Sequence, residues 1–236
     1  MENWMFWLFI LGAVFSPFVY LAGTLWNLFL TWRTPTTAIG SIPGPGWVEV
    51  KGRIRGEPVT SRLSQTACAF WQLEIKEHQG SGRGGGRWRT VHKESSGPFE
   101  VDDLTGRVNI EGTEKPDLVL SQETVQDKLD DVTREKLEAI GVKTKGFLGI
   151  SRKLRVSERM IAPGEEILVL GKFQKDPQAI SSSSGAITPS VISNMGKTET
   201  LKTYFWRSVK PMLIPYLLSL AFLAFFIYSL LQQNAG

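Results

Sequence analysis

The chain has almost no cysteine and no large excess of charge of either sign. Of its 236 residues only Cys68 is a cysteine, so no intramolecular disulfide can form and the redox compartment stays open. The formal net charge is only +4, and part of the positive excess flanks two apolar stretches. Composition therefore gives no reason to expect a nucleic-acid partner. No cofactor motif is present either, and we expect no cofactor.

Two stretches lack charge almost completely, one near each end of the chain. A helix needs about 20 mainly apolar residues to cross ~30 Å of hydrocarbon, because each residue adds 1.5 Å. The second stretch, residues 211–231, has that length and is rich in Leu, Ile and Phe. The sequence therefore predicts a membrane protein with transmembrane helices at residues 4–31 and 211–231, and the lipid bilayer as a partner.

Basic residues flank both apolar stretches on the side of the segment between them. They are Arg33, Lys197, Lys202, Arg207 and Lys210. Because positive charge is retained on the cytoplasmic side of a membrane, we expect this segment to be cytoplasmic and the protein to be a two-span protein of the cell membrane.

Proline and glycine separate the first apolar stretch from a strand-rich segment. Residues 34–46 read TPTTAIGSIPGPG, which predicts a linker. Residues 47–205 follow as one soluble domain, in which alternating apolar and polar residues predict strands. The predicted strands are residues 47–55, 67–76, 88–92, 97–101, 107–110, 153–161 and 166–173. The fold class is therefore α+β, with two transmembrane helices flanking a strand-rich soluble domain that is either β-barrel-like or sandwich-like.

Several local features refine this prediction. Residues 67–76 and 88–92, 97–101 and 107–110, and 153–161 and 166–173 are expected to form hairpins. One helical excursion is expected at residues 121–141, with a break near residues 130–133 and Gly141 as its stop. Gly52 indicates a bulge or a close approach of backbone, and residues 181–185 indicate a surface loop.

Two groups of side chains contain the residue types that chemical sites use. Cys68, His78, His92 and Asp103 would supply the residue types of a nucleophilic set, but a lone cysteine on a strand is more often a small buried residue. The carboxylates of Glu100, Asp102 and Asp103 would suit a cation, but they more often form a solvated turn. We therefore predict no catalytic residue and no metal site.

The run GSGRGGGRWR at residues 80–89 is rich in glycine and arginine. It lacks the entering strand and the following helix of a phosphate-binding loop, so a loose hairpin tip is the better interpretation. Arg83, Arg87 and Arg89 are candidates for contact with lipid headgroups, the polyanion nearest to a membrane-bound domain.

The order of features along the chain resembles that of the GIDE family, also called BAM for "beside a membrane". The features lie between the two apolar stretches and are Gly52, the segment TSRLSQTAC that ends at Cys68, Trp88, Pro98-Phe99, Asp103-x-x-Gly106, Glu158, Gly164 and Gly171. The family includes mitochondrial membrane-anchored RING ubiquitin ligases and prokaryotic members without a RING. This chain is similar to the second kind, and we expect its pattern residues to be structural.

A RING requires about eight Cys or His ligands for two zinc ions, and this chain has one Cys and two His. The resemblance implies an E3 transferase label, but the chain has no RING to support it. The family also places the insert on the side opposite to the one that the charges predict, and we follow the charges.

Two classes of function remain. The preferred one is a membrane-anchored interaction or assembly module, a scaffold that holds a protein partner or copies of itself, with no catalysis. The alternative is an E3-related membrane protein or a membrane enzyme that uses Cys68. Phe99 should point into the core, because Glu100 and Asp102 are the polar members of the local alternation.

Overall fold

A computed structural model describes residues 4–80, 86–112, 117–120, 123–127, 129–146, 149–182, 190–210 and 213–233. The chain divides into two compact units. One unit is helical and holds α1 (Trp4–Arg33), α3 (Lys197–Val209) and α4 (Leu213–Gln233). The other unit holds every described strand and the short helix α2 (Asp131–Ala139).

Within the helical unit, α1 contacts both α3 and α4. The rings of Phe18 in α1 and Tyr216 in α4 lie 4.9 Å apart, centroid to centroid. The ammonium group of Lys197, at the start of α3, donates to the carbonyl of Thr34. These contacts join the two ends of the chain in one helical unit.

Among the described residues, none of the helices combines the length and the hydrophobicity that a transmembrane helix requires. The prediction of a two-span protein of the cell membrane is therefore wrong, and the cytoplasmic orientation that rested on it falls with it. A span needs about 20 consecutive residues that are mainly apolar. In α1 the buried side chains include the polar Thr24, Asn27 and Thr31, and the Thr31 hydroxyl donates to the Asn27 carbonyl at 2.8 Å.

The described part of the second unit contains thirteen strands. They are β1 (Gly46–Arg55), β2 (Val59–Thr60), β3 (Ala67–Cys68), β4 (Phe70–Gln79), β5 (Arg87–Ser95), β6 (Phe99–Asp102), β7 (Arg107–Glu111), β8 (Asp117–Val119), β9 (Glu123–Gln126), β10 (Leu154–Ile161), β11 (Glu166–Gln174), β12 (Ala179–Ser181) and β13 (Val191–Ser193). The strand-rich prediction for this part of the chain is confirmed.

Five strands form a closed sheet in the order β1, β6, β7, β12 and β11, with β11 returning to pair with β1. The β13 and β8 strands extend this sheet from β11. Its interior is filled by apolar side chains, including Val50, Ile54, Val101, Ile110 and Val169, all essentially inaccessible. Of the two predicted architectures, the structure therefore agrees with the barrel-like one.

The second sheet has four strands in the order β5, β4, β10 and β9. One of its faces carries Trp71, Leu73 and Ile75 from β4 and packs with Leu137 of α2 in a second apolar cluster. Helix α2 begins where Asp130 accepts a hydrogen bond from the Thr133 amide at 2.8 Å, a typical N-cap. It ends before Gly141, whose φ of +85° suits glycine.

The predicted hairpin of β10 and β11 is wrong. The β10 strand pairs with β4 and β9, and β11 pairs with β1, β12 and β13, so the turn at Ala162-Pro163-Gly164 carries the chain from one sheet to the other. A short turn favours a hairpin locally. Here both strands are buried on both faces, and each obtains partners on both sides from other parts of the chain.

The predicted helix at residues 121–141 is only partly correct. Residues 131–139 are helical and the expected break lies at the α2 N-cap, but Glu123–Gln126 is the edge strand β9, paired with β10. The Arg159 guanidinium contacts the Glu123 carboxylate at 2.7 Å across this pair. Pairing with β10 therefore overrides a helical periodicity, because an unpaired β10 edge would leave backbone groups without partners.

Gly52 lies where two strands approach closely. A Cβ on Gly52 would come within 2.7 Å of the Asp102 carbonyl oxygen, and one on Gly171 would come within 2.6 Å of the Ile180 side chain. The expected close approach at Gly52 is confirmed. These two glycines let β1 and β11 pack against their neighbours in the closed sheet.

Most of the proline- and glycine-rich segment at residues 34–46 belongs to the strand unit, which begins at Pro35. A short 3₁₀ helix occupies Ile39–Ser41, and Ile39 is buried in the core of the closed sheet. The Thr37 amide donates to the Glu49 carbonyl at 2.8 Å. The structure thus shows part of this segment, predicted as a linker, packed as an element of the fold.

Candidate interaction surface

A cleft opens beside the first residue of β6. Its volume is about 370 Å³, within the range of about 300–1,000 Å³ typical of ligand sites. Its lining consists of Arg55, Gly56, Glu57, Val59, Ala69, Ser96, Pro98, Phe99, Glu100, Asn109 and Glu111. The residues come from β1, β2, β3, β6 and β7 and the segments next to them, so only the folded sheet assembles the cleft.

The cleft combines an apolar floor with a rim of acidic side chains. Val59, Ala69, Pro98 and Phe99 supply the apolar part, whereas Glu57, Glu100 and Glu111 place three carboxylates against the one guanidinium of Arg55. That guanidinium also lies 3.6 Å from the Asp102 carboxylate. Such a surface suits a ligand group that has an apolar portion and positive charge near it.

The turn that joins β6 to β7 lies at the other end of the same hairpin. The Asp102 carboxylate accepts a hydrogen bond from the Leu104 amide at 2.9 Å and faces the guanidinium groups of Arg55 and Arg107. The amide hydrogen bond lowers the pKa of Asp102, and the two arginines add to this effect against an opposing contribution from desolvation. Asp102 is therefore a bonded part of the turn.

Asp103 connects the turn to the segment before β1. One carboxylate oxygen accepts from the Thr105 hydroxyl at 2.6 Å and from the Thr105 and Gly106 amides, and the other accepts from the Ile39 amide at 2.7 Å. Burial alone would raise the pKa of Asp103, but these hydrogen bonds outweigh it and lower the pKa below its ordinary value. Both carboxylates of this turn thus bond to groups of the protein.

We expect Asp103→Asn to weaken the fold and to remove part of its acid sensitivity. Because the folded-state pKa of Asp103 is lowered, the stability that it contributes is present above the unfolded pKa of about 3.9 and is lost as pH falls through the folded value. Urea midpoints measured from about pH 6 to pH 3 should show wild type above the variant at pH 6 and the two converging in acid. Parallel curves would contradict this assignment.

Leu104 occupies the tip of the turn and is 94% exposed. Its φ is +73°, a left-handed conformation that is costly for a branched apolar residue. The sequence analysis did not single out Leu104, because a leucine between two strands is usually a core residue. The position of Leu104 could have indicated its conformation: it is the third residue of the turn DDLTG at residues 102–106, and turns often require a positive φ at such a position.

Glu158 is a buried carboxylate on β10. It is 4% exposed and accepts from the amides of Leu63 and Ser64 at 2.8 and 3.0 Å. The Lys136 ammonium group of α2 donates to the Leu63 carbonyl at 2.6 Å. Glu158 thereby fixes the loop between β2 and β3, the TSRLSQTAC segment of the sequence analysis, onto the second sheet.

Cys68 lies at the end of that loop, buried in the apolar cluster of the second sheet. Its thiol contacts the Val59 carbonyl oxygen at 3.5 Å. Burial raises the pKa of the Cys68 thiol, and the nearby Glu158 carboxylate raises it further. Since the thiolate is the nucleophilic form, both effects make this thiol less reactive than a free cysteine.

We expect native Cys68 to react much more slowly with a thiol reagent than the unfolded chain does, measured at about pH 8, near the ordinary thiol pKa. Cys68→Ala should lower stability modestly through lost packing and leave binding functions unchanged. Fast labelling of Cys68 in the native protein would contradict this prediction. So would a Cys68→Ala variant that is folded but no longer binds, because the thiol would then take part in function.

Cys68, His78, His92 and Asp103, the four residues considered as a nucleophilic set, do not form a cluster in the structure. No hydrogen bond joins any two of them among the described residues. His92 contacts Glu94 at 3.3 Å, His78 packs edge-on against Trp88 at 5.1 Å, and Asp103 bonds to the turn. No group of three or more potential metal ligands is found in the described part of the chain.

Trp88 and its neighbours form a separate cationic surface on the second sheet. The Arg155 guanidinium lies 4.4 Å from the Trp88 ring centroid and also pairs with the Asp127 carboxylate. Arg87 and Arg89, weighed as headgroup contacts, are exposed on β5. Arg83 lies outside the described residues, so the three arginines cannot be placed as a group.

The remaining pattern residues have positions in turns and close contacts. Gly106 packs against Gly40, with a Cβ on Gly106 only 3.2 Å from the Gly40 nitrogen, and Gly164 adopts a φ of +74° in the turn between β10 and β11. Asp103 and Gly106 thus lie at the junction between the turn and the segment before β1, and Gly52 lies against the last two residues of β6.

Together, the closed sheet, the second sheet and the cleft define a strand-rich α+β domain with an open surface site. Residues 72–222 match the GIDE family, described as E3 ubiquitin ligase. Because the match covers more than half of the chain, the protein belongs to the GIDE family. Searches of curated proteins and of solved structures gave no match.

Proposed function

We propose that this GIDE-family chain is an interaction or assembly module that holds a protein partner or further copies of itself. The observation that supports this most is the cleft beside Phe99, whose size and mixed lining of carboxylates over an apolar floor suit a protruding side chain of a protein. Its function is then to bind, with the two sheets as the rigid support.

The test is binding of a fluorescent peptide with alternating leucine and arginine to the full chain, followed by anisotropy. The double variant Glu100→Lys/Glu111→Lys should weaken binding at least about tenfold, or ~1.4 kcal/mol. Glu166→Lys is the matched control, because Glu166 pairs with Lys51 on the surface and does not line the cleft. Failure of the wild type to bind the peptide, combined with failure to self-associate, would overturn the proposal.

The family description supports a second candidate, in which the module holds components of ubiquitin transfer. The role would be binding, because the buried thiol of Cys68 has a raised pKa and suits thioester formation poorly. A reconstituted mixture of ubiquitin, activating enzyme and conjugating enzyme should then form conjugates faster when this chain is added. An unchanged rate would reject this candidate and leave the first untouched.

A further inference from the structure

Leu104 has no role in the packing of its own copy. It is 94% exposed and holds a left-handed backbone conformation that asparagine or glycine would adopt at lower cost. An apolar side chain in this position gains nothing from the surrounding fold. An exposed residue that is held in a costly backbone conformation is a candidate contact for another molecule, because such strain is found at functional sites.

The tip is held rigidly for such a contact. Asp102 and Asp103 accept hydrogen bonds from the amides of Leu104, Thr105 and Gly106, and the Thr105 hydroxyl accepts from the Gly40 amide at 3.0 Å. Rigid presentation matters, because a preorganised side chain loses less conformational entropy when it binds.

Charge differs between the two ends of the β6–β7 hairpin. At the tip, the guanidinium groups of Arg53 and Arg107 are exposed, whereas the carboxylates of Asp102 and Asp103 accept hydrogen bonds from amides of the turn. At the opposite end, Glu57, Glu100 and Glu111 surround the apolar floor of the cleft. The tip therefore presents an apolar side chain beside two exposed guanidinium groups, and the cleft presents an apolar floor beside three carboxylates.

A single copy cannot fill its own cleft. Phe99 pairs with Ile110 at one end of the hairpin, and Asp102 pairs with Arg107 beside the tip at the other. At ~3.3 Å per residue along a strand, the two ends of β6 are separated by about 10 Å and the tip extends away from the cleft. Any match between them must join two molecules.

Building on the proposed assembly function, we infer that the Leu104 tip of one copy docks into the Phe99 cleft of the next, with Arg53 and Arg107 facing the cleft glutamates. The contact uses a different surface on each copy and is therefore heterologous. Repetition of such a contact produces a closed ring of subunits or an open chain. The occupant of the cleft is thus a second copy of this protein.

Sedimentation velocity of the full chain tests this inference. We expect wild type to self-associate with increasing concentration, and Leu104→Asn to weaken association at least about tenfold. Asparagine tolerates the left-handed conformation, so this variant should keep or raise the urea midpoint while losing assembly. Glu100→Lys/Glu111→Lys should lose assembly from the other side of the contact.

Mixing the two variants gives the decisive result. The Leu104→Asn chain keeps an intact cleft, and the double glutamate variant keeps an intact tip, so a mixture should form a 1:1 dimer that neither forms alone. Leu104→Asn should also leave peptide binding by the cleft intact, which separates this inference from the proposed function.

A wild type that stays monomeric while its cleft binds the peptide would overturn the head-to-tail contact and leave the interaction module standing. Assembly that survives both variants, or a mixture that forms no dimer, would likewise overturn it. A cleft that is filled by a different protein, with Leu104 unaffected, would count against the second copy as occupant.

Discussion

Replacing Phe99 with alanine is expected to unfold most of the strand unit at room temperature. The ring is 8% exposed and lies 5.0 Å from the Phe70 ring, centroid to centroid, in the core of the closed sheet. Truncating a buried Phe typically costs about 3–5 kcal/mol, through lost transfer energy and the cavity that remains. Since domains are stable by only about 5–15 kcal/mol, this cost is a large share of the free energy that keeps the strand unit folded.

Urea unfolding of the full chain, followed by tryptophan fluorescence, measures this effect. Phe99→Leu retains much of the buried apolar volume and should cost about 1–2 kcal/mol, less than the alanine variant. Leu104→Ala removes an exposed side chain and should leave the free energy of unfolding within about 0.5 kcal/mol of that of wild type. If Phe99→Ala keeps a wild-type midpoint but no longer binds the peptide, Phe99 acts mainly as part of the cleft.

Replacing Glu158 with alanine is expected to have the next largest effect, a loss of about 3 kcal/mol of stability. The carboxylate is buried and accepts from the Leu63 and Ser64 amides. Hydrogen bonds to charged groups contribute about 1.5–3 kcal/mol, and leaving the amide donors without an acceptor adds a desolvation cost. The loop between β2 and β3 should then detach from β10.

Urea midpoints and amide hydrogen exchange together test this prediction. Exchange at Leu63 and Ser64 should accelerate in Glu158→Ala more than exchange in the closed sheet, because local opening precedes global unfolding. Glu158→Gln keeps one acceptor oxygen and should lose less stability. Either variant should also speed Cys68 labelling, since the Glu158 carboxylate contributes to the raised pKa of that thiol. Unchanged exchange at both amides would show that the loop is held by other contacts.

The two sites of these predictions show how the family pattern is built. Glu158 and Cys68 fix one loop to the second sheet, Asp103 and Gly106 fix a turn to the segment before β1, and Phe99 closes the core next to the cleft. We propose that the roles of these residues are structural. The surface that we propose for binding uses the exposed side of the same hairpin, so stability and binding can be separated by choice of variant.

The sequence by itself determined the local elements of the strand unit. Alternation of apolar and polar residues located β1, β6, β7, β10 and β11 and oriented Phe99 inward, because it records which face of a strand is buried. Gly141 marked the end of α2, and Gly52 marked a close approach of backbone. Each of these features depends on residues that are near one another in the chain.

Only the tertiary structure decided which strands pair and which surfaces remain exposed to solvent. The β10 and β11 strands belong to different sheets. Residues 123–126 form a strand because they pair with the backbone groups at the edge of β10. The two stretches of uncharged residues predicted two transmembrane helices, but none of the described helices has the length and hydrophobicity of a transmembrane helix. The cleft could not be predicted from the sequence, since its lining comes from residues that are far apart in the chain. The exposure of Leu104 could not be predicted either, since it depends on the conformation of a turn. Periodicity specifies burial for each segment, but the partner that provides it is chosen by packing across the whole fold.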